Sequence, residues 1–298
     1  MKEMPQIGLG TWLLTDPKQL RQSINTALDI GYRHIDTAQM YNNEFDIGQI
    51  IKDYPIERNE LFLTTKIAPV NYLYHVKESV EESLERLQTD YVDLVLLHAE
   101  VENSEINLKA YQELIALQNE GKITHIGVSN FSIEGINKII DTFEVKPYCN
   151  QIICSPTTRP VELEKYCKEN GIKLTGYSIL KPYFEPNPFY PDSALTQGEK
   201  AILDGLCEKY DINIGQLLNS WAVSHGYHII PKSSSPKRVE ENFQINNSIS
   251  VDDLLKIDSM NRFSAKEYKA LVKHWGSSLT EEVYKKGLLY KKQIGRAS

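Results

Sequence analysis

Short β-rich runs alternate with longer stretches of helical period about eight times along this chain, and nothing else in the sequence narrows the fold so far. The runs are Gln6 to Gly10, His34 to Thr37, Leu61 to Lys66, Val92 to His98, Ile123 to Ser129, Tyr148 to Ile152, Lys173 to Tyr177 and Tyr227 to Pro231. Most are continuously apolar, as strands covered on both faces must be; a half-exposed strand would alternate. Between them, Asp16 to Ile30 sets Leu20, Ile24, Ala27 and Leu28 on one helical face, and His75 to Leu87 does the same with Val76, Val80, Leu84 and Leu87. Gly31 and Gly121 fall where helix C-terminal glycines belong, and Ser235-Pro236 reads as an N-cap followed by a first-turn proline. One-sided helices alternating with buried strands predict an α/β protein, a closed (β/α)8 barrel of the TIM type.

A chain of 298 residues suits such a barrel as a single domain, with the barrel over about 6–263 and a C-terminal loop or tail over about 264–298 lying across the catalytic rim. Lys181 to Asp192, with four prolines, is the other segment outside the alternation. A net charge of −7 disfavours nucleic acid as a partner, and the basic residues from Lys285 to Lys292 alternate with apolar ones like a solvated helix face. The opening MKEMPQIGLGTW has no apolar signal core, and nowhere do eighteen uncharged apolar residues run together, so the expectation is a cytoplasmic protein with no membrane span. Cys149, Cys154, Cys167 and Cys207 form no CxxC pair and read as reduced structural thiols. The seven histidines include neither HxH nor HExxH, which argues against a catalytic metal and so against a metal-assisted hydrolase.

In a parallel barrel every strand delivers its C-terminal end to one mouth. Asp36 ends the second run, Lys66 the third, His98 the fourth, Ser129-Asn130 the fifth, Gln151 the sixth and Tyr177 the seventh, with Lys232-Ser233 just past the eighth and Tyr41 five residues after Asp36. Singly, Asp36 reads as an N-cap, Lys66 as a snorkelling terminus and His98 as a core histidine. Together on one rim they read as a site.

The segments GYRHIDTAQMYNNEFDIG (Gly31 to Gly48), TTK (Thr64 to Lys66), LLH (Leu96 to His98), GVSNF (Gly127 to Phe131), NQI (Asn150 to Ile152), GYS (Gly176 to Ser178) and IPKSSSPKRVEEN (Ile230 to Asn242) resemble, in this order, the signatures of the aldo-keto reductase family. The resemblance runs roughly from Ile7 through Asn242. It implies an NADP(H)-dependent oxidoreductase that reduces the carbonyl of an aldehyde, ketone or sugar, with Asp36, Tyr41, Lys66 and His98 as the catalytic tetrad. Tyr41 would be the acid, Lys66 would lower its pKa, Asp36 would hold Lys66 and His98 would orient the carbonyl.

The same resemblance assigns Ser129, Asn130 and Gln151 to the nicotinamide carboxamide and Tyr177 to stacking on the ring. Lys232, Ser233 and Arg238 would take the 2′-phosphate, Glu241 and Asn242 would reach the adenine, and Gly10, Thr11, Trp12, Asp36, Ser178 and Leu180 would line the cofactor groove. The substrate pocket would include Trp12, Met40, His98 and Phe131, with Trp275 from the tail. The implied partner is a small-molecule carbonyl compound, and the implied assembly a monomer or weak oligomer.

The sequence departs from the family pattern at Ala99-Glu100, where tryptophan and proline often stand, at Ile153 to Pro156, and at Ile179 to Pro182. The first departure predicts a wider pocket, with negative charge in it if Glu100 points inward, or else an exposed acidic loop. The N-terminal segment is short for a hairpin that would plug the barrel bottom. The altered loops also motivate a second reading, an NADPH-binding sensor or scaffold with little turnover, against which four intact tetrad positions argue.

Overall fold

The computed structural model describes residues 2–186 and 190–277. Eight parallel strands follow one another in sequence order: β1 (Leu9–Gly10), β2 (His34–Asp36), β3 (Phe62–Ile67), β4 (Val92–Leu97), β5 (Ile123–Ser129), β6 (Cys149–Ile153), β7 (Lys173–Tyr177) and β8 (His228–Ile229). A parallel bridge from Ile7 to Ile229 returns the last strand to the first and closes the barrel. β1 lacks the start of its apolar run, where Ile7 keeps only a single bridge, and β8 stops short of Pro231 at the mouth. There the Gly10 amide bonds Pro231 O at 3.2 Å, and a Cβ on Gly10 would lie 2.4 Å from Ile230 O.

The helices are α1 (Pro17–Ile30), α2 (Glu44–Asp53), α3 (Val76–Leu87), α4 (Ser104–Asn119), α5 (Ile133–Phe143), α6 (Val161–Asn170), α7 (Lys181–Phe184), α8 (Gln197–Tyr210), α9 (Ile214–Ser224), α10 (Pro236–Phe243) and α11 (Val251–Asp258). α1 begins as its sequence predicts: Asp16 accepts from the Gln19 amide, Pro17 opens the first turn, and Gly31 takes the left-handed conformation after Ile30. Its Leu20, Ile24, Ala27 and Leu28 are all buried.

Alternation along each strand sorts its side chains into inward and outward sets. Inside the barrel, Phe62, Leu94, Leu96 and Cys149 form one apolar cluster, and Met4 of the N-terminal segment packs onto it from below. Residues 2–5 cross this end: Lys2 Nζ bonds Leu61 O at 2.6 Å, His125 Nε2 pairs with Lys2 O at 3.0 Å, and the Met4 amide donates to the Tyr148 hydroxyl at 3.1 Å.

Two segments expected to be irregular contain helix. Lys181 to Phe184 forms the single turn α7. Residues 265–277 are helical and begin with a reciprocal cap in which the Ser264 amide donates to Glu267 Oε2 at 2.6 Å and the Glu267 amide to Ser264 Oγ at 3.3 Å. That helix buries Tyr268, Leu271 and Val272 against the barrel, and Tyr268 donates to Phe131 O at 3.1 Å. The expected tail past 277 and residues 187–189 of the proline-rich segment lie outside the described residues. No helix among the described residues is long and apolar enough to cross a membrane.

Candidate active site

β3 turns inward with Phe62, Thr64 and Lys66, so its last inward position puts an amine at the mouth, completely buried. β2 does the same with Asp36, which pairs in register with Thr64. Lys66 Nζ donates to Asp36 Oδ1 at 2.5 Å, to the Thr37 carbonyl at 2.8 Å and to the Tyr41 hydroxyl oxygen at 3.3 Å. All three of its protons are thereby used. The second oxygen of Asp36 accepts from Gln151 Nε2 at 2.8 Å. A fully buried charge pair holds together only under such saturation, because each ion loses its water.

His98 follows β4 directly. Its amide bonds Ile67 O at 3.2 Å, its carbonyl accepts from Asn130 Nδ2 at 3.2 Å, and its ring stands edge-on to Tyr41 at 5.9 Å. His98 Nδ1 is enclosed and has no hydrogen-bond partner among the described residues. Burial, reinforced by the Lys66 charge, pushes its pKa down to about 3, so the imidazole is neutral at any physiological pH.

Burial raises the Tyr41 hydroxyl above the ordinary phenol value, and the Asp36 charge adds to that, while Lys66 pulls the other way without prevailing. This corrects the expectation of a lowered phenol: the lysine's field is real, but loss of water outweighs it. Burial alone would lower Lys66, yet Asp36 and Tyr41 together raise it, so the amine stays charged.

The expected nicotinamide contacts converge. Ser129 Oγ donates to Gln151 O at 2.9 Å, Asn130 Nδ2 to Ser129 Oγ at 3.1 Å, and the Tyr177 hydroxyl to Asn130 Oδ1 at 2.7 Å. Asn130 is buried in the left-handed region at φ 55°, and Ser178, beside Tyr177, lies there at φ 60°. Thr11 donates through both its amide and its hydroxyl to Asp36 O, at 3.1 and 2.9 Å. Leu180 approaches Gly215 of α9, the helix that also carries Asn219, whose Nδ2 reaches Asn242 O at 3.4 Å.

Around the start of α10, buried Ser233 Oγ accepts from the Ser235 amide at 3.1 Å and from Arg238 Nε at 3.2 Å. Ser235 holds the N-cap backbone conformation, but its side chain makes no capping bond. Lys232 and Arg238 are exposed, and Glu241 pairs with Lys237 at 3.7 Å.

Of the residues expected at the substrate pocket, Trp12 is half exposed and Met40 half-buried, whereas Phe131 is fully buried in the main core. Glu100 does not present charge to the mouth. Its carboxylate accepts from the Ser132 amide at 2.6 Å, at the N-terminus of α5, where a helix dipole favours an anion. Two residues absent from the sequence reasoning complete the rim. Asn43 bonds Thr37 Oγ1, Thr11 O and Leu14 O at 2.7, 3.0 and 3.3 Å, and the Tyr72 hydroxyl bonds both the carbonyl and the amide of Ala99, at 2.9 and 3.1 Å. Asn43 lies inside the quoted signature; Tyr72 has no local signal that would have revealed it.

A model of the aldo/keto reductase family matches residues 6–262. The glyoxal reductase of Bacillus subtilis is 35% identical over 262 residues, covering 87% of this chain and 90% of that one. The methylglyoxal reductase of Escherichia coli is 34% identical over 247 residues, covering 81% and 84%. Among solved structures, an aldo-keto reductase of Bombyx mori in complex with NADP superposes with a TM-score of 0.79 at 28% identity over 88% of this chain and 90% of that one.

Proposed function

The chain belongs to the aldo/keto reductase family, and we propose that it is a cytoplasmic NADP(H)-dependent reductase of small aldehydes and ketones, with Tyr41 as the acid. The observation that carries this reading is the hydrogen bond from Lys66 Nζ to the Tyr41 hydroxyl, made in a pair that is itself anchored on Asp36. The fit to the cofactor is supported by the convergent amides and hydroxyls of Ser129, Asn130 and Gln151. It is supported again by the bases Lys232 and Arg238 around the Ser233 hydroxyl at a helix start, a donor set suited to a phosphate monoester. The dinucleotide, which Ser129, Asn130, Gln151, Lys232, Ser233 and Arg238 would hold, would supply the hydride when bound.

The residues of the chain supply the rest. Because Lys66 donates to the Tyr41 oxygen, the phenol's own proton is free to pass to the carbonyl oxygen as negative charge gathers there. The phenolate left behind faces an ammonium, which offsets its charge. Neutral His98 serves as a hydrogen-bonding partner that orients the carbonyl, and its depressed pKa keeps it from competing as an acid. Free thiols at Cys149, Cys154, Cys167 and Cys207 suit a reducing compartment.

The test is steady-state oxidation of NADPH and of NADH with methylglyoxal, glyoxal and a series of aldehydes and sugars. Turnover with NADPH, and an Arg238→Ala variant whose KM for NADPH rises about tenfold with little change for NADH, are the expected results. Binding of NADPH without reduction of any carbonyl would sink the catalytic reading and leave the binding one.

A further inference from the structure

Gln39 lies two residues before Tyr41 in the short 3-10 turn Gln39–Tyr41, and its side chain is used to capacity. Its amide nitrogen donates to Ser79 O at 2.8 Å and to Ser83 Oγ at 3.1 Å, both on α3. Its amide oxygen accepts from the Ala68 amide at 3.2 Å and from Asn71 Nδ2 at 3.3 Å, both on the loop that leaves β3. Ala68 is two residues beyond Lys66. Asn71 adjoins Tyr72, whose hydroxyl fixes Ala99 beside His98.

We infer that Gln39 is a positioning residue for the reaction proposed above: one carboxamide ties the turn that carries Tyr41 to the loop that continues from Lys66, and so sets the distance between phenol and ammonium. This rests on the proposed function, but its central claim concerns only how Tyr41 sits against Lys66. The turn needs such a tie. It is a single 3-10 turn with no side-chain cap at its N-terminal side, and Asn42 at its end is in the left-handed region at φ 55°. On its far side the chain is anchored separately, by Glu44, which accepts from Thr65 Oγ1 at 2.6 Å and from Arg86 Nε at 2.7 Å. On the near side Thr37 is fixed to β3 through its amide to Thr64 O at 2.9 Å and its carbonyl to Lys66 Nζ. Between Thr37 and Tyr41, however, it is Gln39 whose side chain bonds α3 and the loop after β3, and the 3.3 Å contact from Lys66 to Tyr41 is the longest of that lysine's three bonds.

The sign of the consequence is fixed. Lys66 opposes the burial that raises the Tyr41 pKa, so a phenol that drifts from the amine titrates still higher. Gln39→Met keeps the length of the side chain and removes all four bonds. Its kcat should fall about tenfold to a hundredfold, on the scale expected when a reacting group is displaced by about 1 Å. The KM for NADPH should stay at the wild-type value, and the alkaline limb of the kcat profile should move to higher pH. Gln39→Glu retains the acceptor for Ala68 and Asn71 but sets an anion against the Ser79 carbonyl, so it should fall between Gln39→Met and wild type.

Ultraviolet difference titration of the tyrosinate in NADP+-loaded protein, each variant read against its Tyr41→Phe counterpart, follows the phenol without turnover. An upward shift in Gln39→Met supports the assignment even if no carbonyl substrate has been found. Wild-type kcat, limb and phenol titration in Gln39→Met, with or without a lowered Tm, would overturn it. Should Gln39→Met not fold, the same three readouts in Gln39→Glu decide.

Discussion

The two ends of the barrel interior are built from the same strands and reach opposite results. At the N-terminal end the inward positions are apolar or aromatic: Phe62, Leu94 and Cys149, with Met4 seated among them. Toward the C-terminal end the same strands carry Lys66 and Gln151, and His98 directly follows β4. On β3 the change takes three inward residues, Phe62, Thr64 and Lys66, within one six-residue strand. A buried histidine sits near each end, and burial drives both His34 and His98 to a pKa of about 3. An unusual pKa therefore does not mark the site; the company does. His34 bonds Thr64 Oγ1 at 2.9 Å and packs edge-on against Phe62, whereas His98 faces a phenol that an ammonium touches.

The largest effects should come from the charged end. Tyr41→Phe keeps the ring and removes the proton, and kcat should drop about 10²–10⁴-fold with the NADPH affinity retained. Lys66→Met should reduce turnover comparably and also cost about 3–5 kcal/mol of stability, because it leaves Asp36 buried without its cation. Kinetics combined with urea unfolding separates the two variants. Equal unfolding midpoints for Lys66→Met and wild type would mean that the buried pair contributes nothing to the fold.

At the sealed end the pattern should invert. Phe62→Ala empties the centre of the lower cluster and should cost about 3–5 kcal/mol. The kcat of the folded fraction should remain near wild type. A large fall in kcat at full folding would show that the two ends are mechanically coupled.

Much of this was legible in the sequence, for definite reasons. Val92–Leu97 stood out because a strand covered on both faces is mostly apolar, whereas Ile123–Ser129 and Lys173–Tyr177, which carry polar residues, were legible from their place in the alternation, and the polar residues that end such runs must collect at one rim. The helix over 265–277 was readable too: Ser264 and Glu267 have capping-box spacing, and Tyr268, Leu271, Val272 and Trp275 recur on one face. What one dimension does not contain is the outcome of competition in three. Whether Glu100 enters the pocket depended on the Ser132 amide lying close by. The direction of the Tyr41 shift depended on how completely the barrel excludes water, and Gln39 meets partners as many as 44 positions away.

His34 offers a subtler test, through pH. Its folded-state pKa lies below its unfolded value, so the unfolded chain binds a proton that the native state refuses. Stability from this residue is intact above about pH 6.5 and is lost as pH falls toward 3. By pH 5 the loss should reach about 2 kcal/mol, and His34→Gln should remove that part of the slope. His34 suits the measurement better than His98, because it is almost wholly enclosed while His98 keeps part of its surface at the mouth. Identical slopes for His34→Gln and wild type would mean that His34 takes up its proton without unfolding.

The smallest expected effect separates the ends by backbone. Left-handed residues other than glycine occur at both, but in different settings. Gln88 and Glu144 close α3 and α5, a place where that conformation satisfies the last carbonyls. Ser178 at φ 60° instead follows a strand, immediately after Tyr177. Gln88→Gly relieves strain where the chain is otherwise anchored, so it should stabilise by up to about 1 kcal/mol and leave kinetics unchanged. Ser178→Gly relieves the same strain, but it also frees the residue that aims Tyr177 at Asn130, and the KM for NADPH should rise a few-fold while kcat holds. Were both glycine variants to behave alike in affinity, the left-handed turn at the mouth would be an ordinary loop conformation, and the ordering of the proposed cofactor groove would have to come from the Tyr177 to Asn130 hydrogen bond alone.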